Sequence, residues 1–239
     1  MTEGIVRKDW DSDFFGFEVY EIPSEVISPN DVEACLDHCR KKDARLVYYQ
    51  RPEGEGEIQL NVKDVHTFLA DHKTTLIKRS LKKKNPSLPV EAFDKVEAVS
   101  DLYPLAIETG VQSRFKVDPR IPNEKFEELY ELWIKGSVEG RMADEVLVIK
   151  KDGDVTALVT LKVKEGCGDI GLIGVSKDFR GQGFATELLK ASENWTVEKG
   201  FDCLTVVTQG KNETAMKLYL RNGFDVSDVK LFYHLWMDR

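Results

Sequence analysis

The stretch Ile173-Gly174-Val175-Ser176-Lys177-Asp178-Phe179-Arg180-Gly181-Gln182-Gly183-Phe184-Ala185 decides how this chain is read. An apolar, β-branched run ends in a loop holding two glycines, and the loop opens directly into an amphipathic helix. That helix is predicted from about Gly183 to Lys199, with Gly200 ending it. Gly181 and Gly183 let the backbone turn tightly and approach a ligand closely. The freed N–H groups at the helix start form an anion site, and the helix dipole strengthens it. Arg180 adds a planar cationic fork suited to phosphate. A pyrophosphate fits the whole array, whereas an ordinary strand–helix connection explains a glycine but not the rest.

Three look-alikes fall away on context. Gly166-Cys167-Gly168-Asp169-Ile170-Gly171 spells G-x-G-x-x-G, but it precedes a strand and opens no helix, so it reads as a turn between strands. The Gly181 loop has Thr186 where a dinucleotide fingerprint would place a third glycine. It also lacks the Gly-Lys-Ser/Thr ending that nucleotide hydrolysis requires. Asn212-Glu213-Thr214 matches a glycosylation sequon, but nothing in the sequence points to secretion.

Outward from this loop the pattern alternates strands and helices. Upstream, Val146–Lys150 and Val155–Lys164 read as strands around an Asp152-Gly153 hairpin turn, and Ile170–Val175 as a third. Phe126, Leu129, Tyr130 and Trp133 form a helical stripe, and Asp101–Gly110 is helical. Downstream come a strand at Leu204–Thr208, a helix at Asn212–Arg221 and an alternating tail to Trp236. The segment Lys82-Lys83-Lys84-Asn85-Pro86-Ser87-Leu88-Pro89 is the strongest boundary. Before it, Phe14–Ile22 is predicted as a strand. Asn30 with Glu33 resembles a capping box opening a helix to about Lys42. Arg45–Gln50 is a strand, Asp64–Asp71 a short helix and Thr74–Leu81 a strand. The basic run from Lys78 to Lys84 reads as a solvated edge strand guarded by lysines rather than as an anion site.

The chain has 239 residues, 41% hydrophobic and 32% charged, with a net charge of −8. No run of 18 apolar residues offers a membrane span, and the first ten residues lack a signal peptide's apolar stretch. A cytoplasmic location is expected, and the acidity disfavours nucleic acid as a partner. Four cysteines do not make a disulfide framework in a chain of this size. Cys35, His38 and Cys39 sit close enough for a metal, but Val32, Cys35, Leu36 and Cys39 follow a buried helix stripe. No metal is expected.

The glycine loop and the elements downstream of it resemble the GCN5-related N-acetyltransferases. Arg180, Gly183 and Ala185 meet that family's Gln/Arg-x-x-Gly-x-Gly/Ala pattern. About thirty residues later come Asn212, Ala215, Leu218, Tyr219 and Gly223-Phe224, as in the family's second signature. The resemblance implies an α/β fold with a mixed, mostly antiparallel sheet flanked by helices at 90–239. A small N-terminal α/β domain at 1–85 would contribute to the acceptor site. It also implies acetyl-CoA as acetyl donor, lying against Ile173, Gly174 and Val175. Its pyrophosphate would rest on Arg180, Gly181, Gln182, Gly183, Phe184 and Ala185. Exposed amides at the end of the Ile173–Val175 strand suit an oxyanion. Asn212, Ala215 and Tyr219 fall on one helix face, so Asn212 is placed to bond the pantetheine arm and Tyr219 to reach the sulfur. With an ordinary pKa of about 10, Tyr219 suits protonation of a departing thiolate, although a packed aromatic beside Phe224 is the plainer reading. Glu55, Glu57, Asp118 and Asp144 all qualify as general base, and the sequence does not choose among them.

A narrower resemblance, to dTDP-fucosamine acetyltransferases of the WecD type, rests on three blocks. They are Trp10-Asp11-Ser12-Asp13-Phe14-Phe15-Gly16, Ser113–Pro122 and Tyr130-Glu131-Leu132-Trp133-Ile134. It implies an amine acceptor on a nucleotide-linked amino sugar; the alternatives are another small amine or a protein N-terminus as acceptor, or a non-catalytic acetyl-CoA-binding sensor. The aromatic first segment offers a stacking surface when it is not simply core, and Arg114 is placed to contact phosphate. Arg114, Phe15 and Asp118 are thus the candidate acceptor-binding residues. A homodimer is compatible with this reading.

Overall fold

The computed structural model describes residues 4–60, 62–94 and 98–238. The first third of the chain forms β1 (Val6–Arg7), α1 (Asp9–Phe15), β2 (Val19–Ile22), α2 (Pro29–Arg40), β3 (Leu46–Pro52) and β4 (Val65–Arg79). Next come β5 (Glu91–Ala92), α3 (Tyr103–Thr109), α4 (Arg114–Val117), α5 (Asn123–Val138), β6 (Glu145–Lys151) and β7 (Asp154–Lys164). The remainder is β8 (Cys167–Val175), α6 (Phe184–Glu198), β9 (Cys203–Gln209), α7 (Glu213–Arg221) and β10 (Asp225–Met237). No described helix is long and apolar enough to cross a membrane.

Two units separate: Met1–Lys73 with Val229–Arg239, and Thr74–Asp228. The division falls inside β4 and β10 rather than at Pro86–Pro89. The proline segment is held to α6 instead of bridging units. Lys84 donates its N–H to Asn194 Oδ1 at 2.6 Å and accepts from Asn194 Nδ2 at 2.9 Å. Ser87 N–H donates to the Glu187 carboxylate.

In the first unit the strands run in the order β1-β2-β3-β10, with β2 and β3 parallel. Register sets Tyr20 and Ile22 beside Val47 and Tyr49, and those beside Leu235 and Tyr233. Against this face packs the predicted stripe Val32, Cys35, Leu36 and Cys39. Both cysteines are fully buried, and burial pushes the Cys39 thiol up to about 12. The α2 cap is Ser28, whose Oγ accepts from Asp31 N–H with Pro29 in the first turn, and not Asn30. Two other expectations are corrected. Of the strand predicted over Phe14–Ile22 only Val19–Ile22 forms; Phe14 and Phe15 end the helix Asp9–Phe15, where Trp10 and Phe14, one turn apart, stack at 4.9 Å. Of the helix predicted at Asp64–Asp71, Val65 to Asp71 belong to the long strand β4, where β-branched residues and sheet pairing outweigh the helical reading.

In the second unit the order is β4-β9-β8-β7-β6-β5, a mixed sheet in which β8 and β9 run parallel while β8, β7, β6 and β5 pair antiparallel in turn. The predicted hairpin forms with both Asp152 (φ 55°) and Gly153 (φ 96°) left-handed. Leu76, Ala157, Val159, Leu161 and Ile170 meet Phe184, Leu188, Leu189 and Trp195 of α6 in the core. The Gly166–Gly171 turn shrinks to Glu165-Gly166, and the rest is already β8. Cys167 and Cys203 form a disulfide, which chain size alone did not suggest; the parallel register sets them side by side. Lys78 is not a solvated edge residue. Its Nζ lies 2.6 Å from Glu193 Oε1 and over the Phe224 ring.

Candidate active site

β8 is distorted where the site lies. Val159 pairs with Ile173 and Leu161 with Ile170, so two residues, Gly171 and Leu172, oppose the single Thr160. The bulge is satisfied from β7, because Leu172 donates its N–H to Thr160 Oγ1 at 2.8 Å. A Cβ on residue 171 would meet that same oxygen at 2.8 Å, which is why glycine stands there. On its other side β8 pairs with β9 only from Gly168 to Ile170, though the strands run on to Val175 and Gln209. Leu172 and Ser176 direct their N–H groups toward β7. By the two-residue alternation of a strand, Ile173 and Val175 aim theirs at the edge that β9 leaves unpaired. These are the amides that the sequence marks for an oxyanion.

The strand then enters a short 3-10 turn at Lys177–Phe179 and the glycine loop. Gly181 (φ 73°) and Gly183 (φ 88°) are both left-handed, and a Cβ on either would meet nothing within 4 Å. Gly183 sits at the N-cap of α6 and no side chain caps that helix. Its first N–H groups, from Phe184 and Ala185 onward, are thus available to an anion. The Phe184 ring turns inward instead, packed on Phe179 at 5.6 Å. Gln182 donates from Nε2 to the Asp178 carbonyl at 3.1 Å, bracing the loop.

Arg180 is half-exposed and already engaged. Nε donates to the Val175 carbonyl at 3.1 Å, and Nη2 lies 2.7 Å from Glu108 Oε1. Lys177 Nζ reaches the other carboxylate oxygen at 3.4 Å. Partial burial alone would raise the Glu108 pKa, but hydrogen bonds from Arg180 and Lys177 outweigh it and hold the carboxyl below the usual range. Glu108 was not found from the sequence. It lies 72 residues from Arg180 in an unremarkable helix end, and only the packing of α3 on β8 brings it there.

On α7, Asn212, Ala215 and Tyr219 share a face, as their spacing requires. Asn212 is the N-cap: its Oδ1 accepts from Ala215 N–H at 3.1 Å, and Nδ2 takes no part in the cap. Ala215 packs on the core together with Met216 and Leu218. Tyr219 is 3% exposed, its ring edge-on to Phe224 at 5.6 Å, and burial pushes its pKa up.

Of the acceptor candidates, Arg114 and Asp118 lie at the two ends of α4. The Arg114 guanidinium lies over the Phe115 ring at 4.1 Å. Asp118 is 1% exposed and its Oδ1 accepts from Arg120 N–H at 2.9 Å, ordering the turn after α4. Phe15 lies in the first unit, stacked on Phe17 at 5.5 Å and edge-on to Phe14 at 5.0 Å. Of the carboxylates considered as bases, Asp144 accepts from Val163 N–H at 2.8 Å, and Glu55 and Glu57 belong to the first unit. Among the described residues no group of three His, Cys, Asp or Glu could hold a metal ion.

A strand released from its parallel neighbour and followed by an uncapped glycine-loop helix defines a class. Residues 109–224 match the model of the acetyltransferase (GNAT) family, and this stretch is a GNAT domain. The chain is 25% identical over 161 residues to the spore coat polysaccharide biosynthesis protein SpsD of Bacillus subtilis, covering 63% of this chain and 55% of that one. It is 30% identical over 130 residues to the dTDP-fucosamine acetyltransferase of Escherichia coli O6:H1, covering 54% and 55%. It thus spans about half the length of these curated relatives. Among solved structures, a GCN5-related N-acetyltransferase from Sphaerobacter thermophilus shares the fold, with a TM-score of 0.59 at 14% identity over 93% of this chain and 73% of that one.

Proposed function

We propose that this protein transfers the acetyl group of acetyl-CoA to the amine of a nucleotide-linked amino sugar. One observation carries the reading: the unpaired edge of β8 at Ile173 and Val175 leads within eight residues of Val175 to the uncapped start of α6 at Gly183. A ligand with an amide-bearing arm and a pyrophosphate matches that sequence of donors. The residues present suit such a ligand, since open space stands where side chains at 181 and 183 would be. The names of the relatives, one acting on dTDP-fucosamine and one in polysaccharide biosynthesis, support a sugar acceptor.

Acetyl-CoA supplies an activated acetyl thioester. Gly181 to Ala185 hold its pyrophosphate through backbone N–H groups, with the positive end of α6 behind them. The N–H groups of Ile173 and Val175 donate to the oxygen on which charge builds as the amine attacks, the largest contribution in most acyl transfers. Asn212 Nδ2 bonds the pantetheine arm. Tyr219, kept protonated by burial, gives its proton to the thiolate that leaves. Arg114, Phe15 and Asp118 remain proposed acceptor-side residues, and the first unit is proposed to contribute to acceptor binding.

Thiol release measured with acetyl-CoA and a panel of nucleotide-linked amino sugars, simple amines and peptides tests the proposal. Turnover confined to the sugars supports it. Turnover on peptides only, or none despite acetyl-CoA binding, sinks it.

A further inference from the structure

Arg180 belongs to the loop motif, yet its side chain points back into the protein. Its guanidinium joins three separate pieces of backbone. Nε is bonded to the Val175 carbonyl at the last residue of β8, Nη2 to Glu108 at the end of α3, and its own Cα carries the glycine loop. The α3 end is itself fixed to β8. A Cβ on Gly174 would stand 2.6 Å from Thr109 Cγ2 and 3.4 Å from Leu105 Cδ1, so the helix touches the strand's bare backbone. Glu108, next to Thr109, thus projects from a rigid platform, and Lys177 at the loop's entry also reaches it, at 3.4 Å.

We propose that Glu108 is a positioning residue for the acetyl-CoA site, holding Arg180 and Lys177 so that the loop 176–183 presents its backbone N–H groups in place before the pyrophosphate arrives. This rests on the acetyl-CoA reading above and deepens it. The charges support the assignment. Lys177 and Arg180 are balanced by Asp178 within the loop and by Glu108 on α3, so the loop together with Glu108 carries no net charge. An anion arriving there is recognised by ordered N–H groups and the helix dipole rather than by two free cations. Ordering a loop in advance spares the ligand that cost on binding.

Glu108→Ala removes the bond to Arg180, and Glu108→Gln keeps an acceptor at Oε1. Loss of one charge-assisted bond predicts an acetyl-CoA Kd raised about tenfold in Glu108→Ala and by no more than about threefold in Glu108→Gln. The KM for acetyl-CoA rises in step while kcat at saturation holds. In the cofactor-free protein, amide exchange at Phe179 and Arg180, whose N–H groups are bonded to the Ser176 and Lys177 carbonyls, speeds up about tenfold in Glu108→Ala. Glu108→Ser is the second variant should Glu108→Ala lower the Tm. Unchanged exchange, or a Kd that is unchanged or tighter in Glu108→Ala, overturns the proposal; a tighter Kd would mean that the carboxylate merely competes with the phosphates. Failure of the wild-type protein to bind acetyl-CoA would instead refute the cofactor reading, and the exchange rates would still judge Glu108.

Discussion

Tyr219 owes its raised pKa to burial, with no charged neighbour contributing. The shift has a sign that matters for catalysis: the phenol stays protonated through the pH at which an ordinary tyrosine loses half its protons, about 10. Tyr219→Phe should therefore lower kcat by about a hundredfold, the low end for a general acid, with acetyl-CoA Kd nearly unchanged. For the wild-type protein, kcat should show no alkaline fall up to about pH 10. A fall centred at about 10, and absent in Tyr219→Phe, would mean that the tyrosine titrates normally. The position of Tyr219 was legible in the sequence, because seven residues from Asn212 is two helical turns. Its packing beside Phe224 was the plainer reading there and the structure shows it, but the depth of its burial depends on the rest of the core. Asn212 was read as a ligand donor, and the structure shows that half of its amide is spent on capping α7.

At the scale of elements, the site depends on a defect in a strand. Thr160 is 2% exposed and its hydroxyl is the partner of the displaced Leu172 N–H. Thr160→Val keeps the shape and leaves that buried N–H unsatisfied. It should cost about 1–3 kcal/mol in denaturant unfolding and weaken acetyl-CoA binding along with it. A variant as stable as wild type would mean that the bulge does not rely on this bond. The bulge could not be read from the sequence, because Gly171 and Leu172 alternate as any strand does until a partner fixes the register. The glycine loop could be read, since its left-handed positions and the helix start are local. The same contrast explains the errors nearby. Phe14 and Phe15, predicted as strand, and Asp64–Asp71, predicted as helix, are short segments whose pattern suits both periods, and pairing or aromatic stacking decides them.

For the whole molecule, two compact units divide within β4 and β10. Proline and lysine marked 82–89 as a linker, but side chains of α6 bind that segment, while the chain's last strand returns to the first unit. Seven residues of β10 pair with β3, and Leu231, Tyr233, Leu235 and Met237 lie in the first unit's core. Ending the chain after Asp228 should therefore abolish the first unit's cooperative unfolding and expose a hydrophobic edge at Leu46–Pro52, seen as aggregation. A truncated chain that stays monomeric with two intact transitions would refute that division. The central claim, acetyl transfer to a sugar amine, is tested most directly by mass spectrometry of a nucleotide-linked amino sugar incubated with the protein and acetyl-CoA. The predicted product carries one acetyl group on the amine and forms at a rate that falls in Tyr219→Phe. An unmodified sugar beside an acetylated peptide, or thioester consumed with no acceptor acetylated, would contradict it.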